Sequence, residues 1–485
     1  MHQIRFALLV PGIVLFYGCQ AFAALQVPDE TCGEDPEAYN SFTCLDPAAL
    51  FASIAGDEPV LQSLGPAELG HVSATAGGEL RWRYMDERNR LRKGGPGHSR
   101  YQLWRFTPWV QLNVGEMIGG YVQAIDASMF GLDAPYSAAP IDENRADLLQ
   151  LYGEVRLPGM GEVQTKYRYG RQFLQYGNQR LLSPLGWANT YRNFEGHKLM
   201  LTSPDWDLDL FSMHSLNAAA GNVPRPASFD RADQSRSISG AWSTWKGFEQ
   251  STVDLYWLFS NESDSSPDLM DGRRQTLGSR YAGRHRMVSE SQLAGTWNLD
   301  AEAAWQFGRD DFGSVNRDKV QAGMAASTGG YTFDELPWTP GLGGIFWWGS
   351  GGRGKDGTIH TFHSLYPLGH AWWGQIDNFS GQNLVDYGVQ ASLAPTKKVS
   401  VVTQWHWFDL ASRDDRIYTI TGTALPGSGD RRIGNELDLV GNWNISRTLQ
   451  LQAGWLWFFY GDAVNRGPLA RSDAEQLYLQ VTWAF

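Results

Sequence analysis

Cysteine is scarce in this chain, with only Cys19, Cys32 and Cys44 among 485 residues. No C-x-x-C pair occurs, which excludes a thioredoxin-type redox centre and leaves a cysteine-built zinc site without ligands. Basic charge is also short: 40 Lys and Arg stand against 52 Asp and Glu, a net charge of −12 that argues against nucleic acid as a partner. Beyond the N-terminus there is no run of 18 apolar residues, and a mean hydropathy of −0.36 is too polar for a bundle of membrane helices. A G-x-S-x-G elbow is missing. Gly349-Ser350-Gly351-Gly352-Arg353-Gly354 has dinucleotide-loop spacing, but Lys355-Asp356-Gly357 stands where the helix would have to begin, so the stretch reads as a flexible loop. His360, His363 and His370 share that loop, with no helix or cysteine to fix them around a metal. Catalytic residues, metal ligands and cofactors are therefore not assigned, and the chain does not read as an enzyme.

Aromatics and glycine are abundant instead: 21 Trp, 19 Tyr, 23 Phe and 54 Gly. From Ala474 to the end the pattern alternates completely. Leu477, Leu479, Val481, Trp483 and Phe485 point one way, and Gln476, Tyr478, Gln480, Thr482 and Ala484 the other. In an outer-membrane barrel the greasy face meets lipid, the polar face lines the lumen, and aromatic girdles and tight turns use the remaining composition. The terminal Phe resembles the assembly signal of such barrels, which implies the barrel assembly machinery and outer-membrane lipid as partners.

The N-terminus carries Arg5, an apolar run from Phe6 to Tyr17 and the small-x-small site Ala21-Phe22-Ala23, so residues 1–23 read as a cleaved signal peptide. A lipoprotein reading at Cys19 is disfavoured because Phe16-Tyr17 makes a poor lipobox. Export leaves Cys32 and Cys44 in an oxidising compartment, where a disulfide is expected. Residues 24–70 read as a short periplasmic extension with a short helix over Asp46 to Ile54, Asp46 as its N-cap and Pro47 at its first position. A plug, a tether and an arm docking a periplasmic polysaccharide-export scaffold all fit it.

Residues 71–485 read as the barrel. The expected fold is all-β, a monomeric antiparallel transmembrane barrel of eighteen strands: 79–87, 101–112, 116–128, 147–157, 163–176, 192–203, 207–217, 235–246, 249–260, 284–298, 301–309, 320–333, 342–350, 383–394, 398–410, 431–443, 448–460 and 475–485. Loop lengths alternate with parity, short turns such as Asn113-Val114-Gly115 against long stretches such as 351–382. Short turns are periplasmic in bacterial barrels, so both ends of the barrel fall in the periplasm.

Alternation then sorts the charges. With Leu151, Val155, Leu157, Thr165, Tyr167 and Tyr169 outward, Glu154, Lys166 and Arg168 face inward, and pairing Leu157 with Val163 sets Glu154 opposite Lys166. Arg81 and Arg83 lie inward between Leu80, Trp82 and Tyr84, as do Arg432, Glu436 and Asp438 beside Leu437 and Leu439. Inward charges in a barrel often do no more than hold water and one another. Basic side chains facing a pore also attract anions.

Several stretches resemble the alginate export family of outer-membrane barrels: Tyr169-Gly170-Arg171-Gln172, Tyr176 to Leu181, Arg192 to Gly196, Leu365 to His370, and Gly434 to Leu439. The resemblance covers most of residues 79–485. It implies a monomeric eighteen-stranded pore passing an anionic polysaccharide such as alginate, with Arg168, Arg171, Arg192, Glu436 and Asp438 at the constriction. Uptake of small anionic solutes by a porin is the neighbouring reading, and an enzyme or adhesin stands further off. The cysteine assignment is open to direct test: non-reducing mass spectrometry of the mature protein should show Cys32 joined to Cys44 and no lipid on Cys19, and two freely alkylated thiols would refute it.

Overall fold

The computed structural model describes residues 71–92, 96–131, 139–217, 229–262, 272–287, 294–310 and 318–485. Cys32, Cys44 and the 24–70 extension lie outside them. The chain forms a closed antiparallel barrel of eighteen strands. Strand β1 consists of Val72–Gly77 and Glu79–Arg88, joined at Gly78, and β2 of His98–Phe106 and Trp109–Val114, joined at Thr107-Pro108. Then follow β3 Ile118–Phe130, β4 Asn144–Met160, β5 Val163–Gln172, β6 Phe194–Thr202, β7 Trp206–Asn217, β8 Arg231–Phe248 and β9 Ser251–Glu262. The second half comprises β10 Gly272–Met287, β11 Gly295–Asp310, β12 Asp318–Thr332, β13 Gly341–Gly349, β14 Leu384–Thr396, β15 Val399–Leu410, β16 Arg432–Asn444, β17 Leu449–Tyr460 and β18 Ala474–Ala484. Each strand pairs with its neighbours in sequence, and β1 pairs with β18 to close the wall, Arg83 opposite Gln480.

The wall has the inverted amphipathicity that lipid requires. On β18, Leu477 is 45% exposed and Leu479 36%, whereas Gln476, Tyr478 and Gln480 between them are buried in the interior. Short turns such as Gly161-Glu162, Glu249-Gln250 and Lys397-Lys398 mark the periplasmic end, and the long connections 173–193, 350–383 and 411–431 mark the external end.

Closure depends on a side chain that is missing. Gly78 exchanges backbone hydrogen bonds with Phe485, and a Cβ added there would lie 3.1 Å from the Phe485 ring and 3.1 Å from Pro108. Pro108 has no N–H to donate, which suits the break in β2, while its carbonyl accepts from Ala124. Phe485 stacks on Phe106 and leans on Trp483. The terminal aromatic therefore packs into the seam.

Two details of the sequence reading are corrected. The tenth strand expected at 284–298 is Gly272–Met287, and the eleventh begins at Gly295, so Asn298-Leu299-Asp300 lies inside a strand and is not a turn. Asn298 and Asp300 are buried inward while Leu299 is exposed, and two inward polar residues around one leucine imitate a turn. The run 272–283 reads as loop because its inner face holds Arg274, Thr276 and Arg280 while its outer face has few large apolar residues. Second, an irregularity between Leu157 and Met160 shifts the β4–β5 hairpin: Leu157 faces Thr165, Arg156 faces Lys166 and Glu154 faces Arg168.

The Gly78 contact supplies a stability prediction. Gly78→Val should overpack the seam and cost on the order of 1–3 kcal/mol. In detergent-refolded protein the urea midpoint should fall while Leu477→Ala, on the lipid face, leaves it nearly unchanged. An unchanged midpoint in Gly78→Val would show that the terminal Phe does not depend on this site.

Candidate functional site

The third external loop (173–193) and the seventh (350–383) fold into the barrel. Leu174, Tyr176, Leu181 and Leu182 of the first, and Phe362, Trp372, Trp373 and Ile376 of the second, form one buried cluster with inward wall residues such as Trp347, Phe408, Leu456 and Tyr478. The loops are bonded to each other, with Ser183 N donating to Tyr366 O, Tyr366 N to Leu181 O and Leu368 N to Gln179 O. Residues 349–354, read as a flexible loop, are likewise tied down: Gly352 N donates to Asp415 Oδ2 at 2.7 Å and Gly354 N to Thr358 O at 2.8 Å. The lumen is constricted by ordered chain.

One wall of the constriction is basic. Arg81 and Arg105 lie opposite each other on β1 and β2 and are fully buried, and Arg83 is 2% exposed. Arg81 donates to Gly186 O (3.0 Å), Trp187 O (3.3 Å) and Ala188 O (2.6 Å). Arg83 donates to Trp187 O at 2.9 Å and to Gln480 Oε1 at 2.8 Å, with its guanidinium 3.5 Å over the Trp187 ring. Arg105 donates to Gly186 O and Ala188 O, lies 4.3 Å over Tyr191, and pairs with Glu79 at 2.6 Å. Three buried guanidiniums thus share one carboxylate, and most of their other hydrogen bonds go to carbonyls of a single loop segment, with Gln480 and Asn189 side chains adding one each. Sequence reasoning missed Arg105, although Trp104 and Phe106 flank it as Leu80 and Trp82 flank Arg81.

An acidic pair lies three strands away along the same wall, through β17 and β18. Glu436 and Asp438 on β16 are fully buried and face inward. Ile376 N donates to Glu436 Oε1 at 2.8 Å and Gln375 N to Asp438 Oδ2 at 3.4 Å, so the carboxylates hold the seventh loop by its main chain. Gly374 at φ +78° makes this possible, since a Cβ there would meet the Glu436 carboxylate at 2.4 Å. His406 bonds Asp386 at 2.9 Å and comes within 3.9 Å of Asp438. Trp187 joins the third loop to the seventh: its ring stacks on His370 at 3.7 Å, and its Nε1 donates to Asp377 Oδ2 at 3.0 Å.

A third anchor holds the far side of the third loop. Arg180 is paired with Asp300 and Glu302, Asn178 donates to Asp300, and Arg280 links Asp300 to Asp254. The misplaced β10 and β11 hid the parity of these acids. Desolvation, and after it the charges of Arg274 and Arg236, pull the His363 imidazole down to about 3.

The remaining sequence-derived positions divide. Glu154, Lys166 and Arg168 meet inside the barrel, with Glu154 at 2.8 Å from Arg168 and 3.3 Å from Lys166. Arg192 lies in the third loop, donating to Ser183 O and Pro367 O over the Tyr366 ring; burial lowers it to about 10, so it remains a cation at neutral pH. Arg171 is not on the lumen wall. It stands three residues from Arg168, on the other face of the strand opposite Leu151, at the external rim where it donates to Leu148 O and Asp230 O. Arg432 is also turned away, because an extra residue at Ile433 breaks the β15–β16 register and sets Arg432 beside Asp409 and Asn435. Asp209, Asp254, Asp300, Glu302 and Asp386 also lie buried on strands, and among these only Asp386 has an imidazole for partner while Lys198, Arg280 and Arg180 serve the others. Among the described residues no group of His, Cys, Asp and Glu could hold a metal ion.

Comparisons with known proteins place this geometry. No curated protein sequence matches the chain. Solved outer-membrane proteins of Pseudomonas aeruginosa share the fold: OprD at TM-score 0.56 and 12% identity, covering 85% of this chain and 93% of its own. OccK11 (OpdR) gives 0.51 at 14% identity, covering 85% and 96%, and OpdK, solved with vanillate, gives 0.52 at 12%, covering 84% and 98%. At these identities the likeness concerns the fold. The alginate export family model matches residues 72–476, and with the barrel, its lipid-facing wall and its loop-constricted lumen already in place, the chain belongs to the alginate export family of outer-membrane barrels.

Proposed function

We propose that this outer-membrane channel passes carboxylate-bearing solutes, an anionic polysaccharide leaving the cell in the first instance, by diffusion and without chemistry on the cargo. The observation that carries the reading is the charge imbalance at Arg81, Arg83 and Arg105, which have Glu79 as their one carboxylate partner among the described residues. In a confined, partly desolvated lumen such a strip lowers the cost of bringing in an anion, and Glu436 and Asp438, three strands away, limit how tightly a polyanion is held. Small-anion uptake is favoured by one specific feature, the narrowing of the lumen by two packed loops, and the two readings share the same selectivity. A scaffold contact through residues 24–70 would accompany export only.

Selectivity is measurable in planar bilayers. The wild-type pore should prefer anions, and the preference should weaken with salt as the Debye length falls from about 10 Å at 0.1 M to about 3 Å at 1 M. Arg81→Ala with Arg83→Ala should shift the reversal potential toward cations, and Glu436→Gln with Asp438→Asn should shift it the other way. A cation-selective wild type, or two double variants that leave the potential unmoved, would overturn the reading.

The seventh loop should loosen in acid. A histidine held near 3 in the folded loop and near 6.5 when released contributes its full stability above pH 6.5 and loses it as pH falls below that value. Between pH 6.5 and 4, protease nicking within 350–383 should rise, and His363→Gln should flatten the dependence. Equal slopes in the two proteins would contradict the assignment.

A further inference from the structure

We propose that Arg273, Arg309 and Lys319, on the outer face of β10, β11 and β12, form a docking site for the phosphate groups of a phosphorylated glycolipid of the outer leaflet, with its acyl chains in the groove below them. The three residues stand in one row across the wall, Arg273 directly opposite Arg309 and Arg309 directly opposite Lys319. All three are exposed, and Arg273 and Arg309 share the parity of Leu277, Trp305 and Phe307, which face lipid. The row lies at the external end, where β10 begins at Gly272, β11 ends at Asp310 and β12 begins at Asp318. Being outside the lumen, it is independent of what the channel passes.

The described residues offer this row no compensating charge. Like charges at facing positions of an antiparallel pair are destabilising, and here two such pairs adjoin. Arg273 Nε donates to the neutral Asn261 side chain at 3.3 Å, and among the described residues no carboxylate pairs with any of the three cations. Asp310 and Asp318, next to Arg309 and Lys319 in sequence, have the opposite parity and are taken by Arg274 and Arg353. Outward cations on another side of the external end do have carboxylates: Arg100 lies 2.9 Å from Asp86, and Arg88 lies 3.7 Å from Glu475. The uncovered row therefore calls for an anion from outside the chain.

Its level in the membrane selects that anion. Trp257, Trp305 and Phe307 are exposed just below the row, and such aromatic belts mark the headgroup level of a bilayer. Arg309 stands two residues beyond Phe307, roughly 7 Å along the strand, at a depth suited to headgroup phosphates. Below the belt the lipid face holds a groove of about 700 Å³, lined by Leu255, Trp257, Leu277 and Trp305, with the small Ser279 and Ala303 opposite each other between them. The row spans two strand spacings, about 10 Å, so one phosphate cannot meet all three cations. Guanidinium groups bind phosphate in bidentate fashion. An amphiphile with several phosphates on its headgroup and several acyl chains fits both halves of the site, and the glycolipid of a Gram-negative outer leaflet has that form.

The test uses the full chain refolded in detergent, with bound lipid followed by native mass spectrometry. The probes are a deep-rough lipopolysaccharide, the same lipid stripped of its phosphates, and phosphatidylglycerol. Wild type should bind the phosphorylated glycolipid at least tenfold more tightly than either comparison lipid. Arg273→Gln with Arg309→Gln and Lys319→Gln should remove that advantage, whereas Arg100→Gln should keep it and Arg273→Lys with Arg309→Lys should keep most of it. Ala303→Trp, which fills the groove, should weaken the phosphorylated glycolipid several-fold with the cations in place. Equal affinity in wild type and the triple Gln variant, an Ala303→Trp protein that binds as wild type does, or a wild type that binds either comparison lipid as tightly would overturn the proposal. The lipid comparison needs no variant, so it decides even where a substitution impairs refolding.

Discussion

Everything inside this barrel depends on three guanidiniums that have been taken out of water. An arginine buried without compensation costs several kcal/mol, and Arg81, Arg83 and Arg105 together have one carboxylate, Glu79. Beyond the Gln480 and Asn189 side chains, their partners are the carbonyls of Gly186, Trp187 and Ala188, which reach them only because the third external loop dives into the lumen. Hydrogen bonds to charged groups contribute about 1.5–3 kcal/mol each, enough to hold a loop that lipid and external water would otherwise leave outside. Once Trp187 is placed, its ring offers a face to His370 and its Nε1 a proton to Asp377, so the seventh loop follows. Glu436 and Asp438 then receive the main chain of that loop.

This arrangement gives the lumen two characters at once. The arginine strip and the acidic pair lie three strands apart along one side of the lumen wall. The same charges serve as the fastenings of the constriction. On the proposed anion-channel reading, a carboxylate on the strip would compete with backbone carbonyls, which carry only partial charge.

The wall was legible from sequence because a lipid-facing strand leaves a period-two trace, and Leu477 to Phe485 carry it without interruption. Legibility failed where that trace is weak. Strand β10 has Leu277 as its large apolar outward residue in mid-strand, with small or polar neighbours, so Gly272–Met287 looked like loop. Parity fails at an irregularity, where one extra residue at Ile433 turned Arg432 to the other face, whereas Arg171 was placed by resemblance against the parity its odd spacing from Arg168 sets. The inward loops left no periodic signal, since contacts such as Arg180 with Asp300 join residues far apart in sequence. Alternation placed Arg81, Arg83, Glu436 and Asp438 on the inner face but could not show that loop backbone satisfies them.

The central claim is that the segment around Gly186 to Ala188 covers an anion-attracting strip and thereby limits conduction. Removing residues 185–189 and recording single-channel currents in bilayers tests it most directly. The account expects conductance to rise several-fold with anion preference strengthened, because the three guanidiniums lose their neutral partners and face the pore. An unchanged conductance, or a wider pore that prefers cations, would contradict it.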